Sequence, residues 1–365
     1  MRLTPLRALI AIVALGVGGF LFAWSGLFNI AASTGHWPIT DWFLHFTMRS
    51  SVRTHALGIE TPPLDDPALV QRGAGHYATG CAPCHGGATS HDSPVAESMT
   101  PPPPFLVQRI DEWEPHQLFW IVKHGVKYTG MPSWPAHGRD DEVWAVVAFL
   151  KALPDLEAEE YRRLAWGVED ASAGGGLDDL QAGPRDALQG CARCHGLDGA
   201  GGAPGAFPLI AGQTERYLLN TLHAFADGTR NSGIMESAVA GLSDESLRAL
   251  AGHYAAAPLS EAPSSSPAAD PESVARGQEI ATEGIPSEGV PACLSCHAGD
   301  PAERHPAYPN LFGQDAGYLA RQLTLWQEDS RGGGPYAHIM ETIAKRLSPE
   351  DIEDAAAYFS TTAPP

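Results

Sequence analysis

All six cysteines of this 365-residue chain fall in three copies of one pattern: Cys81-Ala-Pro-Cys84-His85, Cys191-Ala-Arg-Cys194-His195 and Cys293-Leu-Ser-Cys296-His297. At the chain's own Cys and His frequencies, C-x-x-C-H should arise by chance roughly 0.004 times. The spacing has a chemical reason. Two thiols three residues apart can add to the two vinyl groups of one haem, and the adjacent His then lies under the iron as its proximal ligand. The motifs therefore predict three covalently bound haem c groups, held by Cys81, Cys84 and His85, by Cys191, Cys194 and His195, and by Cys293, Cys296 and His297.

Rival chemistries fit less well. A C-x-x-C redox pair has no use for the following His each time. A four-ligand zinc site takes two such pairs, and three pairs cannot be shared out evenly. Structural disulfides would leave the three histidines unexplained.

A haem that relays electrons needs a sixth ligand. Met1 is the initiator and Met48 precedes every motif, which leaves Met99, Met131, Met235 and Met340. Met235 and Met340 lie 40 and 43 residues beyond His195 and His297, in the matching strings Ile234-Met235-Glu236 and Ile339-Met340-Glu341. Met131 lies 46 residues beyond His85, so spacing favours it over Met99 in the first repeat. A lone Met is commonly core filler, but three at matched spacing point to iron ligation by Met131, Met235 and Met340. His124, His137 and His338 are the competing ligands nearby. Thioether ligation raises the potential, which suits a relay.

The elements that must position these residues can be read around them. Ala8 to Gly35 contains no acidic or basic residue, and Leu9–Phe28 is strongly apolar behind Arg2 and Arg7. A secretory signal needs an apolar core of roughly 7–15 residues and a bilayer span about 20, so the length predicts an uncleaved anchor. Ala31-Ala32-Ser33 keeps a cleaved signal as the alternative. The flanking arginines put the N-terminus in the cytoplasm and the remainder outside, in the periplasm. Trp37, Trp42, Phe43 and Phe46, interleaved with Arg49, Arg53 and His55, predict a short helix on the membrane surface or against the first repeat.

Beyond this the chain reads as three repeats separated by Gly-, Ser- and Pro-rich breaks at 167–185 and 258–272. The expected divisions are an anchor at 1–33, an interfacial segment at 34–60, and repeats at 61–155, 175–260 and 272–365. Phe207-Pro208-Leu209-Ile210-Ala211-Gly212-Gln213 matches Tyr308-Pro309-Asn310-Leu311-Phe312-Gly313-Gln314. Ser243 and Ser348 each look like the N-cap of a closing helix, and Asp140-Asp141-Glu142 opens the corresponding helix in the first repeat. In the second, only Asp178–Gln189 is available for an opening helix, and Gly183-Pro184 breaks it. No strand alternation of any length appears, so the predicted fold is all-α.

Residues 61–365 resemble the class I cytochromes c. Within them, 187–361 resemble the tandem di-haem cytochromes c (the c-four group), and 68–154 a single-haem domain placed before that pair. The resemblance implies three tandem cytochrome c domains. It also implies that the carbonyls of Pro104, Pro208 and Pro309 accept a hydrogen bond from the proximal histidines, orienting each ring.

These features predict a single-pass inner-membrane, periplasmic tri-haem cytochrome that passes single electrons between respiratory complexes and is not itself an enzyme. A terminal haem–copper oxidase is the first acceptor to test. The alternatives are the haem subunit of a membrane-bound dehydrogenase and a haem peroxidase with an open sixth site. The formal charge of −20 excludes nucleic acid as a partner. Residues 261–365 alone carry 16 acidic and 6 basic residues. The cluster Glu350-Asp351, Glu353-Asp354 makes the third repeat the candidate docking port for a basic redox protein, the alternative being that the acidic charge serves solubility alone.

Overall fold

The computed structural model describes residues 4–89, 93–166, 184–201, 205–258, 269–300 and 303–363. Among these the secondary structure is helical, with two isolated antiparallel bridges, Arg230 to Gly332 and Ile285 to Val290, and no strand. Two helices precede the repeats: α1 (Pro5–Trp24) and α2 (Pro38–His55). The first repeat contributes α3 (Pro67–Gly80), α4 (Ala82–His85), α5 (Pro94–Glu97), α6 (Pro115–His124), α7 (Asp140–Ala152) and α8 (Ala158–Trp166). The second contributes α9 (Pro184–His195), α10 (Glu215–Ala226), α11 (Gly233–Val239) and α12 (Asp244–Ala256). The third contributes α13 (Pro271–Glu283), α14 (Ala316–Gln327), α15 (Ala337–Ala344) and α16 (Pro349–Thr361).

The first and third repeats share one construction. The opening helix crosses the closing helix at a glycine, because only a residue without Cβ lets the backbones approach so closely. A Cβ on Gly73 of α3 would lie 2.0 Å from Ala145 O and 2.8 Å from the Phe149 Cβ of α7. A Cβ on Gly277 of α13 would lie 2.0 Å from Asp354 O and 2.9 Å from the Tyr358 Cβ of α16. Around the first crossing Tyr77, Val143, Val146, Val147 and Phe149 are fully buried. In the second repeat the principal pairing is instead α10 on α12, through Leu218, Ala251 and Tyr254.

The closing helices start as their sequences predict. Ser243 Oγ accepts from Ser246 N at 3.2 Å. Ser348 Oγ accepts from Asp351 N at 3.1 Å while the Asp351 carboxylate accepts from Ser348 N at 2.9 Å, a reciprocal capping box. Pro184 is where the described part of the second repeat's opening helix starts, in keeping with the expected break. It is the first residue of α9, where its missing N–H costs nothing. The preceding part of Asp178–Gln189, through 183, and the linker positions 167–183 and 259–268 lie outside the described residues.

Helix α1 is exposed on every side and has a mean hydropathy of 2.2, so it is long and apolar enough to cross a membrane. Helix α2 has two halves with different surroundings. Val52 and the following Ala56 are fully buried against the first repeat, Arg49 pairs with Glu112, and His55 packs on Trp120 at 5.7 Å. Trp37, Trp42, Phe43 and Phe46, toward α1, stay exposed.

Candidate functional site

Each C-x-x-C-H motif follows or ends an opening helix, but the local geometry differs. Cys81 caps α4, which carries Cys84 and His85. Cys191, Cys194 and His195 continue the last turns of α9 without a break. Cys293 opens a single 3-10 turn, Cys293–Ser295, after a short excursion through Ile285 and Val290. In all three, the amide of the His donates to the carbonyl of the first Cys or the helix continues through it, so one turn carries both cysteines and the His.

The three rings are oriented in one way. Nδ1 of His85 lies 2.9 Å from Pro104 O, Nδ1 of His195 lies 3.2 Å from Pro208 O, and Nδ1 of His297 lies 2.9 Å from Pro309 O. A carbonyl can only accept, so each Nδ1 carries the proton and each Nε2 keeps its lone pair for a metal. Burial lowers the pKa of His195 and His297, which keeps these two rings neutral. Phenol hydroxyls fix the next residue in two repeats: Tyr77 donates to Gly86 O at 2.7 Å and Tyr254 to Gly196 O at 3.1 Å.

All nine motif residues line one continuous cavity of about 1830 Å³ that runs through the three repeats. That is well beyond the ~300–1,000 Å³ of a pocket for one small ligand. Met131, Met235 and Met340 line it as well, whereas His124, His137 and His338 do not. Met99 also lines it, and its Sδ would lie 3.3 Å from a Cβ at Gly130, next to Met131. Sequence spacing did not bring His45, Met48 or His76 to the cavity, yet all three line it. The His76 pKa is pushed down to about 4 by burial, with Arg193 adding to the effect, and its ring packs 4.7 Å from Trp134.

The electrostatics of the cavity suit neutral sulfur and bound carboxylates. Burial pushes the Cys81 thiol up to about 12 and those of Cys191 and Cys293 to about 11. Thiols so disfavoured as thiolates make poor redox nucleophiles. Arg72 Nη1, Arg193 Nη1 and Trp326 Nε1 are buried without a hydrogen-bond partner, and all three side chains line the cavity. Arg230 and Arg331, at matched positions in the second and third repeats, are both buried and lie over Phe225 and Trp326 at 4.6 and 3.8 Å. Burial, with Arg230 beside it, pushes Arg331 down to about 9.

The second and third repeats are joined by a reciprocal pair of amide contacts that lie outside the haem motifs. Gln314 donates Nε2 to Leu209 O at 2.9 Å and accepts from Leu209 N at 3.0 Å. Gln213 donates Nε2 to Asn310 O at 2.9 Å and accepts from Asn310 N at 2.8 Å. Leu209 and Asn310 directly follow Pro208 and Pro309, whose carbonyls hold His195 and His297. The signal was present in the repeat alignment, where Gln213 and Gln314 end the two matching strings. Nothing in one dimension says that each reaches across to the other repeat.

Comparison with known proteins follows the same division. Residues 181–252 and 274–363 match the family described as cytochrome c, and residues 68–150 match cytochrome c oxidase, cbb3-type, subunit III. Cytochrome c4 of Pseudomonas aeruginosa is 39% identical over 170 residues, which are 46% of this chain and 82% of the relative. The chain belongs to the class I c-type cytochromes. It carries a c4-like di-haem segment. The thiosulfate dehydrogenase electron acceptor of Thiomonas intermedia is 33% identical over 170 residues, covering 47% of this cytochrome and 77% of the relative. The crystal structure of reduced cytochrome c4 from Pseudomonas stutzeri is 33% identical with a TM-score of 0.43, covering 48% of this cytochrome and 95% of that chain.

The protein is therefore an electron-transfer cytochrome that binds haem c covalently, and it is not an enzyme in its own right. The cavity fits that cofactor. The cysteine pairs and the three histidines line it, and its unpartnered arginine and indole N–H groups are the donors that haem carboxylates require.

Proposed function

We propose that this cytochrome is a membrane-anchored periplasmic relay with three haem c groups, passing single electrons between a respiratory donor complex and an acceptor. The groups are attached at Cys81 and Cys84, at Cys191 and Cys194, and at Cys293 and Cys296. Their iron ligands are His85 with Met131, His195 with Met235, and His297 with Met340. The observation that carries this reading is the single cavity shared by all twelve residues. Continuity brings successive cofactors within reach of one another, as a relay requires. Helix α1 supports the anchor, and the aromatic end of α2 suits the headgroup region beside it.

The match of residues 68–150 to subunit III of cbb3-type cytochrome c oxidase favours a haem–copper oxidase as the acceptor. A second reading, an electron-accepting subunit of a dehydrogenase, is favoured by the relative named as a thiosulfate dehydrogenase electron acceptor. Intact mass of the purified holoprotein should exceed the polypeptide by three haems, and replacing Cys191 and Cys194 together should remove one. Two haems in the wild-type protein would refute the tri-haem relay. Pull-down from native membranes separates the partners: co-purification of an oxidase supports the first, of a catalytic dehydrogenase subunit the second.

A further inference from the structure

Glu142 lies in the first turn of α7, in the first repeat, and is only 3% exposed. Arg139 forms an ion pair with its carboxylate at 2.9 Å, and the carboxylate accepts hydrogen bonds from Trp134 Nε1 at 3.2 Å, Ser232 Oγ at 2.6 Å and Gly233 N at 2.7 Å. The last two belong to the second repeat. Burial raises the Glu142 pKa, while the Arg139 guanidinium and the hydrogen bonds from Ser232 and Gly233 work against that and favour the anion. Arg139 reaches across as well, donating to Asn231 O at 2.7 Å. Trp134 closes the grip from above: a Cβ at Gly233 would lie 2.4 Å from its Nε1, so the loop seats here only because residue 233 is glycine.

What this grip holds is the approach to Met235. Ser232 caps α11, and its Oγ accepts from Met235 N at 3.0 Å while donating to Glu142. A hydrogen-bonded path therefore runs from a buried carboxylate of the first repeat to the backbone of the Met235 residue in the second. The carboxylate lies in the 68–150 segment, which matches a different family model from residues 181–252 and 274–363 that hold its partners Ser232 and Gly233.

We propose that Glu142 is a positioning residue for the second haem: the first domain, docked through it, clamps the 231–235 loop and holds the Met235 thioether on the iron. The inference rests on the proposed ligation by Met235. Loss of the clamp frees the loop to swing away from the iron.

The test uses the full-length, haem-loaded protein. Met235→Ala first identifies the second haem as the one that loses its thioether-to-iron absorption band. Displacement of the thioether by added imidazole is then timed at each oxidised haem. Glu142→Ala should accelerate it about tenfold or more at the second haem and less than twofold at the other two. Glu142→Gln keeps the shape and one acceptor oxygen, so the acceleration should be smaller. Should Glu142→Ala fail to fold, Glu142→Gln carries the test alone. Unchanged thioether displacement at the second haem, or equal changes at all three, overturns the clamp. If Met235→Ala leaves every thioether band in place, it is the ligand assignment that fails.

Discussion

Replacing Gln314 with Ala should disturb the haem of the neighbouring repeat rather than its own. Gln314 sits in the third repeat, but its amide satisfies both the N–H and the C=O of Leu209 in the second, which is 8% exposed. The variant leaves two buried backbone groups without partners, at about 1–3 kcal/mol each. Some rewetting will recover part of this, so the local cost is about 2–4 kcal/mol. At 1.36 kcal/mol per factor of ten, hydrogen exchange at the Leu209 amide should rise ~30- to ~900-fold. Pro208 O, one residue away, holds His195, so the potential and proximal-ligand signals of the second haem should move while those of the third stay put. Gln213→Ala should do the reverse, exposing Asn310 and moving the third haem. Exchange measured by mass spectrometry or NMR, with a redox titration of each variant, decides the matter. If each variant perturbs only the haem of its own repeat, the crossed arrangement is refuted.

Met131→Ala should abolish the first haem's thioether band and lower its potential, whereas Met99→Ala should leave both in place. A band sensitive to Met99 alone would show that the Pro-rich loop supplies the ligand. The rate of electron transfer with a basic partner cytochrome should fall as salt rises, and Glu350→Gln with Glu353→Gln should flatten that dependence; a salt-independent wild-type rate would exclude charge-steered docking at this face. Gly277→Ala should cost the third repeat about 1–3 kcal/mol or more, read as a lower denaturation midpoint, because its Cβ would collide with Asp354 O. Asp354 is held below the ordinary carboxylate range, chiefly by its hydrogen bond from Arg276. Its contribution is therefore present above the unfolded-state pKa and lost as pH falls through the lower folded one; Asp354→Asn should remove that part of the acid unfolding limb.

The acidic cluster of the closing helix shows where a linear reading goes astray. Four adjacent carboxylates look like one patch, but helical geometry turns them to different tasks. Asp354 is buried and pairs with Arg276 at 2.6 Å and Ser273 at 2.5 Å, while Asp351 closes the capping box with Ser348. Only Glu350 and Glu353 are exposed for docking, and Glu350 lies 3.6 Å from Arg276. The Glu142 carboxylate was legible as a helix N-terminal acid, which it is. That it serves the next repeat was not, because the partners Ser232 and Gly233 lie 90 and 91 residues away.

By itself the sequence determined the chemistry and the local structure. Cysteine spacing specifies covalent haem because the thiols and the proximal ring must come from one short turn. Helix caps are likewise decided within four residues, and the all-α class follows from the absence of alternation. The partners of Nδ1, implied by the resemblance to class I cytochromes c, are present at 2.9 to 3.2 Å. Tertiary structure alone decided everything that depends on which surfaces meet: the joining of three cavities into one, the crossed Gln213 and Gln314 amides, the burial of Arg230 and Arg331, and the grip of Glu142 on the Met235 loop. Local spacing is encoded along the chain, but a buried donor or acceptor finds its partner only when packing has excluded water from both, and that partner can stand anywhere in the sequence.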